Sequence, residues 1–325
     1  MTAKDNTGTK RPLIILTGPT AVGKTALSIG LAKAIQGEII SADSMQVYRG
    51  MDIGTAKITK EQMDGVPHHL IDIMDPSDSF HVMAFQQKCK EAMEDIYARH
   101  KIPILVGGTG FYIQSVLYDI SFTETDTDIE YRQELQKIAE EQGGYVLHAR
   151  LAKIDPEAAD EIHPNNVKRV IRALEFNHQT GEKISIHNEQ ERQKKSPYQF
   201  RYYVLSLPRE ILYDRINRRV DVMRRDGLVD EVKGLLQQGI TPNMVSMQGL
   251  GYKEIIDALQ GSCSFEEAFE RIKRETRHFA KRQFTWFRRE RDVTWIDKET
   301  YENEDAILQY MIKDLKNAYI LPADQ

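Results

Sequence analysis

The sequence lacks the features of secreted, zinc-binding and membrane-spanning proteins. Its 325 residues include only two cysteines, Cys89 and Cys263, which lie far apart and form no CxxC motif. This excludes a disulfide framework and gives no sign of a structural zinc site, so we expect a reduced, cytoplasmic location. Residues 1–11 are polar, without the apolar segment of a signal peptide. Apolar runs reach only about six residues, whereas a membrane helix needs roughly 20, so no membrane partner is expected.

An excess of charge, glycine or proline is also missing. The net charge is −5, with 41% hydrophobic and 29% charged residues, as in an ordinary globular protein. The length allows one large domain or two. Twenty glycines and 11 prolines exclude a low-complexity chain. The charge of the whole chain does not indicate a nucleic-acid partner.

What the sequence does contain is a glycine-rich segment between a predicted strand and a predicted helix. Residues 18–25 read GPTAVGKT, the pattern G-x-x-x-x-G-K-T. Backbone N–H groups of such a loop surround phosphate oxygens, and the following helix adds its positive dipole end. Lys24 supplies a charge to the phosphates, and the Thr25 hydroxyl can bind Mg²⁺. The alternative is a turn that only caps the helix. The predicted phosphate-binding residues are Gly18, Pro19, Thr20, Ala21, Val22, Gly23, Lys24 and Thr25.

Short apolar segments alternate with helix-like segments in the first part of the chain. Predicted strands lie at 13–16, 38–41 and 102–106, and predicted helices at 26–35 and 81–100. Strands this apolar are typical of a parallel sheet covered on both faces. The alternation predicts an α/β fold, a P-loop NTPase-like parallel sheet flanked by helices.

From about residue 122 the sequence becomes more polar and helical. We predict a mainly helical insertion domain at 122–197, between two parts of the core domain, 1–121 and 198–325. The predicted features of the insertion are helices at 126–142 and 167–178, helix starts at 155–157 and 163–165, and a polar connector at 189–196. The core is predicted to resume with a strand at 202–207 and long helices at 209–238 and 265–289.

Two polar segments follow predicted strands at the edge where ligands bind in open α/β sheets. Asp43 comes directly after the second strand and is a candidate general base or magnesium partner; the alternative is an N-cap. Residues 107–110 read GGTG, so the backbone there approaches either a ligand or another segment closely. His68 and His69 are adjacent, which disfavours a shared metal site, and we assign them to a loop.

The last third of the chain carries a basic stretch. Residues 271–291 contain nine Lys or Arg and only two Glu, with Phe and Trp between them. Contact with a polyanion is one interpretation. The other is a solvated helix face whose aromatic side chains lie in the core.

Taken in order, these motifs resemble bacterial tRNA dimethylallyltransferases. The similar segments are 18–25, 41–48 (SADSMQVY), 51–57 (MDIGTAK), 67–69 (PHH), 107–112 (GGTGFY), 169–175 (RVIRALE), 249–253 (GLGYK) and 281–287 (KRQFTWF). One departure is NVK at 166–168, where many relatives carry a glutamine, and no zinc finger of the eukaryotic kind is visible.

The resemblance implies transfer of a dimethylallyl group from dimethylallyl diphosphate to N6 of the adenine 3′ to the anticodon, in tRNAs that read codons starting with U. The phosphate loop would then hold a prenyl diphosphate together with Mg²⁺, and the partner would be the tRNA anticodon stem-loop. We expect the enzyme to be a monomer.

The resemblance also assigns roles to residues. Asp43 would be the base, with Thr20 and Thr109 near the reacting atoms. The tRNA-contacting residues would be Asp43, Ser44, Met45, Gln46, Thr109, Arg132, Asn166, Val167, Lys168, Arg169, Val170, Gln248, Gly249, Leu250, Gly251, Tyr252 and Lys253. The basic stretch would contact the anticodon stem. Three other functions stay open: a P-loop kinase, an adenylate isopentenyltransferase, and an RNA-binding protein gated by a nucleotide.

Overall fold

The computed structural model describes residues 10–122 and 129–322, which form two compact units. The core unit is drawn from Met1–Leu117 and Pro197–Gln325, and the insertion unit is Tyr118–Ser196. The sequence had placed these boundaries near residues 122 and 197.

A parallel sheet of six strands lies at the centre of the core unit. The strands are β1 (Pro12–Thr17), β2 (Glu38–Ala42), β3 (His68–His69), β4 (Pro103–Gly107), β5 (Gln199–Ser206) and β6 (Val293–Asp297). Their order across the sheet is β3-β2-β4-β1-β5-β6, and every pair is parallel. Helices cover the sheet, so the predicted fold class is confirmed.

Helices surround the sheet in the core unit and make up the insertion unit, and they are numbered in chain order. The core unit contains α1 (Lys24–Ile35), α2 (Lys60–Met63), α3 (Val82–Ala98), α4 (Gly110–Leu117), α10 (Arg209–Arg225), α11 (Leu228–Gln237), α12 (Tyr252–Leu259), α13 (Phe265–Phe287) and α14 (Glu304–Asn317), with 3-10 turns at Ser246–Gln248 and Lys298–Thr300. The insertion unit contains α5 (Ile129–Gln142), α6 (Gly144–Ile154), α7 (Pro156–Glu161), α8 (Val167–Thr180) and α9 (Ile184–Gln193). No helix among the described residues has the length and apolar character needed to cross a bilayer.

Burial explains why the central strands are so apolar. Leu13, Ile14, Ile15 and Leu16 of β1 are all 0% exposed, since a strand with helices on both faces has no solvent side. The apolar stripe of α3 is likewise buried against the sheet. Each such side chain contributes about 1.5–3 kcal/mol on burial.

The insertion unit has a separate apolar core. Leu147 and Leu151 of α6 pack in one cluster with Val170 and Leu174 of α8. The buried Asp155 caps α7, accepting from the Ala158 N–H, and also accepts from the backbone and hydroxyl of Ser185. This carboxylate therefore links the start of α7 to the start of α9.

Register brings three strand ends into one row. Ala42 of β2 is paired with Gly107 of β4, and Gly107 is paired with Thr17 of β1. The residues that follow these strands therefore emerge side by side at the carboxyl edge of the sheet. In open α/β sheets, ligands bind at this edge.

Several sequence-based assignments were wrong. The predicted helix 209–238 is two helices, α10 and α11, because Gly227 between them has φ 98°, a left-handed conformation that ends a helix. His68 and His69 form β3, paired with Ile39 and Ile40, rather than a loop. Helix α9 extends into the predicted connector 189–196. Strand β6 was not predicted.

Smaller differences concern the insertion unit. Helix α8 begins at Val167, as predicted, with Asn166 as its N-cap, so the start signal at 163–165 lies just before the helix and not in its first turn. Residues 126–128 of the predicted helix 126–142 lie outside the described residues, and α5 begins at Ile129.

Candidate active site

The glycine-rich segment forms a loop between β1 and α1. Gly18 has φ 144° and Gly23 has φ 98°, conformations that L side chains rarely adopt. A Cβ on Gly18 would lie 2.6 Å from the Leu205 carbonyl oxygen, so only glycine fits there. Gly23 is the N-cap of α1 and supplies no side-chain acceptor. The first amides of α1 are therefore left for an anion, as at phosphate sites.

Lys24 lies at the start of α1 with its ammonium group turned back over the loop. Its Nζ donates to the carbonyl oxygens of Gly18 and Pro19, both at 2.9 Å. Burial, and to a lesser degree the positive charge of Arg219, lower the pKa of Lys24 to about 7, while Asp43 opposes this change. An anion bound in the loop would raise this pKa and so favour the charged form of the lysine.

Arg219 of α10 is a functional candidate that the sequence analysis missed. Its Nη1 lies 3.5 Å from the Thr20 hydroxyl. Desolvation lowers the pKa of its guanidinium and the charge of Asp43 raises it. The structure therefore brings the cations of Lys24 and Arg219 and the Asp43 carboxylate within electrostatic range of one another, with Arg219 next to Thr20. No sequence signal marked Arg219, because α10 contains several arginines at similar spacing.

Asp43 follows β2, and its contacts bear on the capping interpretation. One carboxylate oxygen, Oδ1, accepts from the backbone N–H groups of Met45 at 2.8 Å and Gln46 at 3.2 Å, so the residue does cap the following turn. The same carboxylate interacts electrostatically with Lys24 and Arg219. The Asp43 side chain therefore caps a turn while lying near both cations, and its role as a base stays a prediction.

The glycine-rich segment after β4 lies beside the phosphate loop and is joined to it by Gln283. The Thr20 N–H donates to Gln283 Oε1 at 2.9 Å, and Gln283 Nε2 donates to the Gly108 carbonyl oxygen at 2.9 Å. A Cβ on Gly108 would lie 2.2 Å from that Nε2, which explains the glycine. Thr109 follows at once, and its N–H donates to Ala42 O at 3.3 Å. Gln283 lies in the quoted segment 281–287, but nothing in the sequence indicated this bridge.

The segments around 44–46 and 248–253 also adjoin one another. A Cβ on Gly249 would lie 2.5 Å from the terminal methyl of Met45. Gln46 Nε2 donates to the carbonyl oxygens of Thr55 and Ala56. Tyr252 is fully buried, so its ring does not face solvent. Of the other predicted tRNA-contacting residues here, Gln248 is exposed, Ser44, Gly249, Leu250 and Lys253 are partly exposed, and Gly251 is buried.

In the insertion unit the predicted tRNA-contacting residues differ in exposure. Lys168 and Arg169 are exposed in the first turn of α8. Val170 is fully buried in the apolar core, and Val167 packs against that core. Arg132 forms a two-bond ion pair with the buried Glu175, at 2.7 and 2.8 Å.

The basic stretch divides into two groups. Arg271 pairs with Asp257, Lys273 pairs with Asp221 and Glu270, and Arg277 donates to Asn217, so these three cations stabilise the packing of α13. A second group is exposed and recurs at helical spacing along one side of α13 and just beyond it. This basic stripe consists of Arg274, Lys281, Arg282, Arg288 and Arg289. Arg274 also pairs with the adjacent Glu275, and the ninth cation of the stretch, Arg291, is exposed beyond the helix. An exposed stripe fits either a solvated helix face or contact with a polyanion, so the polyanion contact stays a prediction.

Comparison with known proteins identifies a family. The family model described as IPP transferase matches residues 46–290, and one described as Isopentenyl transferase matches residues 12–79. A tRNA dimethylallyltransferase of Lachnoclostridium phytofermentans is 58% identical over 311 residues, covering 96% of this chain and 99% of the relative. One from Bacillus pumilus is 53% identical over 289 residues, covering 89% of this chain and 90% of the relative.

The fold is also similar to solved structures of enzymes of the same family. The full-length tRNA isopentenylpyrophosphate transferase of Bacillus halodurans has 47% identity and a TM-score of 0.71, covering 96% of this chain and 99% of that chain. A eukaryotic dimethylallyltransferase acting on tRNA has 31% identity and a TM-score of 0.79, covering 97% of this chain and 81% of that chain.

Proposed function

The chain belongs to the IPP transferase family, and from this premise we propose that it transfers a dimethylallyl group from dimethylallyl diphosphate to N6 of the adenine 3′ to the anticodon, in tRNAs that read codons starting with U. The observation that carries the proposal is the row of strand ends. Asp43 and Thr109 follow β2 and β4 in the same register row from which the phosphate loop leaves β1. One site therefore offers an anion cradle and a carboxylate together.

The cradle holds the diphosphate leaving group. The allylic C–O bond breaks as the bond from N6 to that carbon forms, and negative charge grows on the diphosphate. Lys24, Arg219 and the free amides of α1 lie where they stabilise this charge, which lowers the barrier. Binding of the diphosphate raises the pKa of Lys24 and so favours its protonated form.

Asp43 takes the proton that N6 releases as the new bond forms. Its Oδ1 is held by the amides of Met45 and Gln46, so the carboxylate keeps one orientation while the acceptor amine approaches. Thr20 and Thr109 supply polar groups near the reacting atoms. The adenine leaves its stack to reach this position, at a cost of a few kcal/mol.

Thr25 is the residue that would bind Mg²⁺. It is exposed in the first turn of α1, directly after Lys24, and a hydroxyl oxygen is a ligand that Mg²⁺ accepts. The ion would neutralise charge on the departing diphosphate.

The basic stripe of α13 supports an RNA partner. Five exposed cations along one side of a helix match the repeating charge of a nucleic-acid backbone, and releasing counterions on binding is favourable. Lys168 and Arg169 of the insertion unit are further candidates for contact with the anticodon stem-loop.

Mass spectrometry of an anticodon stem-loop tests the proposal directly. The RNA is incubated with the purified chain, dimethylallyl diphosphate and Mg²⁺, then digested to nucleosides. We expect the adenosine 3′ to the anticodon to gain the mass of C5H8. A product on AMP but not on the RNA would instead indicate an adenylate isopentenyltransferase, ATP turnover without any prenylated product would indicate a kinase, and RNA binding without modification would indicate a binding protein.

A further inference from the structure

Glu231 of α11 makes an unusual set of contacts away from the phosphate loop. Its carboxylate accepts from three consecutive backbone N–H groups, those of Asp52 at 2.8 Å, Ile53 at 2.7 Å and Gly54 at 3.0 Å. It also accepts from the Tyr252 hydroxyl at 2.7 Å. Four donors therefore converge on one partly buried carboxylate.

Only a carboxylate satisfies this arrangement. Three successive amides that point to one side form a concave anion site, and each of their bonds to a charged acceptor is stronger than a neutral one. Burial, followed by the charge and hydrogen bond of Glu231, raises the pKa of Tyr252, so the phenol remains a donor. The carboxylate thus joins the 51–57 turn to the first residue of α12.

Both joined segments adjoin Met45 or Gln46, which the family resemblance assigns to contact with the tRNA. The 51–57 turn holds the Gln46 carboxamide through the carbonyl oxygens of Thr55 and Ala56. Tyr252 belongs to the segment 248–253, whose Gly249 packs on Met45. A Cβ on Gly54 would lie 2.5 Å from the Tyr252 ring, so the turn and the ring are in direct contact.

We propose that Glu231 is a positioning residue for the acceptor adenine. It fixes the spacing between the turn that orients Gln46 and the segment 248–253, and it acts through them rather than by touching the substrate. This inference rests on the proposed function. Because Glu231 does not contact the phosphate loop, its effect falls on the RNA substrate and not on dimethylallyl diphosphate.

Steady-state kinetics of Glu231→Gln test the proposal. The carboxamide keeps the shape but loses the charge and turns an NH2 group toward the donors. We expect KM for the anticodon stem-loop to rise about tenfold, with KM for dimethylallyl diphosphate unchanged. The matched control is Asp230→Asn, at the neighbouring exposed position of α11, where the carboxylate pairs with Lys233; both KM values should stay at wild type.

Tyr252→Phe keeps the test decisive if Glu231→Gln fails to fold. It removes one of the four donors and retains the ring, so KM for the RNA should rise about threefold. Equal changes in both KM values would indicate a general structural role and overturn the inference, as would wild-type kinetics in both variants. A wild-type chain that leaves the RNA unmodified would overturn the proposed function as well, and is thereby distinguished from failure of the inference alone.

Discussion

At the scale of single residues, the pKa of Lys24 is close to neutral pH, so its charge depends on whether an anion is bound. Its pKa of about 7 means that near neutral pH a substantial fraction of the free protein carries a neutral amine. A diphosphate in the loop restores the charge because an anion nearby raises the pKa of an amine.

Calorimetry should detect this proton. When inorganic pyrophosphate binds at pH 8, we expect the protein to take up a fraction of a proton, approaching one, and affinity should fall as the pH rises above about 7. The measurement compares binding enthalpies in buffers of different ionisation enthalpy. In Lys24→Met the uptake attributable to the lysine should vanish, and an unchanged uptake would contradict the assignment.

Two substitutions of Asp43 should separate its two roles. Asp43→Asn keeps an oxygen that accepts from Met45 and Gln46 but cannot take a proton, so kcat should fall about 10²–10⁴-fold with RNA affinity within a few-fold of wild type. Asp43→Ala removes the cap as well and should also lower the melting temperature. Single-turnover kinetics and filter binding measure these effects. Near-normal kcat in Asp43→Asn would remove the base role.

Residues of the site differ in how far the sequence reveals them. Lys24 and its loop are predictable because the whole phosphate-binding motif lies within eight consecutive residues. The local backbone conformation requires glycine at positions 18 and 23. Arg219 and Gln283 reach the loop from 199 and 263 residues away in sequence. Which arginine of α10 faces the loop depends on packing across the core unit, and no local pattern encodes that.

At the scale of elements, α13 combines a buried apolar side with an exposed basic side. Its apolar side, with Phe269, Ile272, Ala280 and Phe287, is buried, and three of its cations are tied to neighbouring side chains. The basic stripe lies on exposed positions of the same helix. Charge counting along the sequence cannot separate these groups, because each tied cation has a partner on another helix: Asp257, Asp221 or Asn217.

Salt dependence of RNA binding should separate them. Lys281→Gln and Arg288→Gln should each lower the slope of log K against log salt by about one unit. Arg271→Gln, whose cation pairs with Asp257, should leave the slope unchanged while reducing stability. Filter binding between low and moderate salt measures this. Equal slopes in all three variants would exclude the stripe as the RNA-contacting face.

Element boundaries were predictable where one strong local cue sets them. Asp155 caps α7 as the Asp-Pro pattern predicted. The break between α10 and α11 was missed because a single glycine within a helical pattern is also tolerated in a continuous helix. Strand β3 was missed because two residues carry no periodic pattern, and its pairing with β2 depends on the sheet.

At the scale of the whole molecule, the carboxyl and amino ends of the strands differ in the residues that they carry. The carboxyl edge carries the candidate active site. At the amino edge, Glu38 begins β2 and is 2% exposed. It is held by Arg99, His69 and Lys101. Burial alone would raise the pKa of Glu38, but these three partners outweigh it and hold the pKa at about 2.

Stability should therefore depend on pH through this carboxylate. Its folded pKa is below that of the unfolded chain, so its contribution, about 3 kcal/mol, is complete above pH 4.5 and is lost as the pH falls toward 2. We expect Glu38→Gln to be destabilised at pH 7, with the difference from wild type shrinking across that window. Urea unfolding at several pH values measures this. Transferase activity of the folded variant should be normal, and a difference independent of pH would contradict the linkage.

The chain order of the strands has a consequence for synthesis on the ribosome. Strand β1 is a central strand, yet its partner β5 is separated from it by the entire insertion unit, with Pro12 opposite Gln199. One side of β1 can pair with β4 once residues 103–107 have emerged, but the other side stays open until residue 206 has left the exit tunnel. The 118–196 segment, with local contacts and its own apolar core, has the means to fold earlier. Because this side of the sheet closes late, we expect expression yield to be more sensitive to mutations in β5 than to mutations in the insertion.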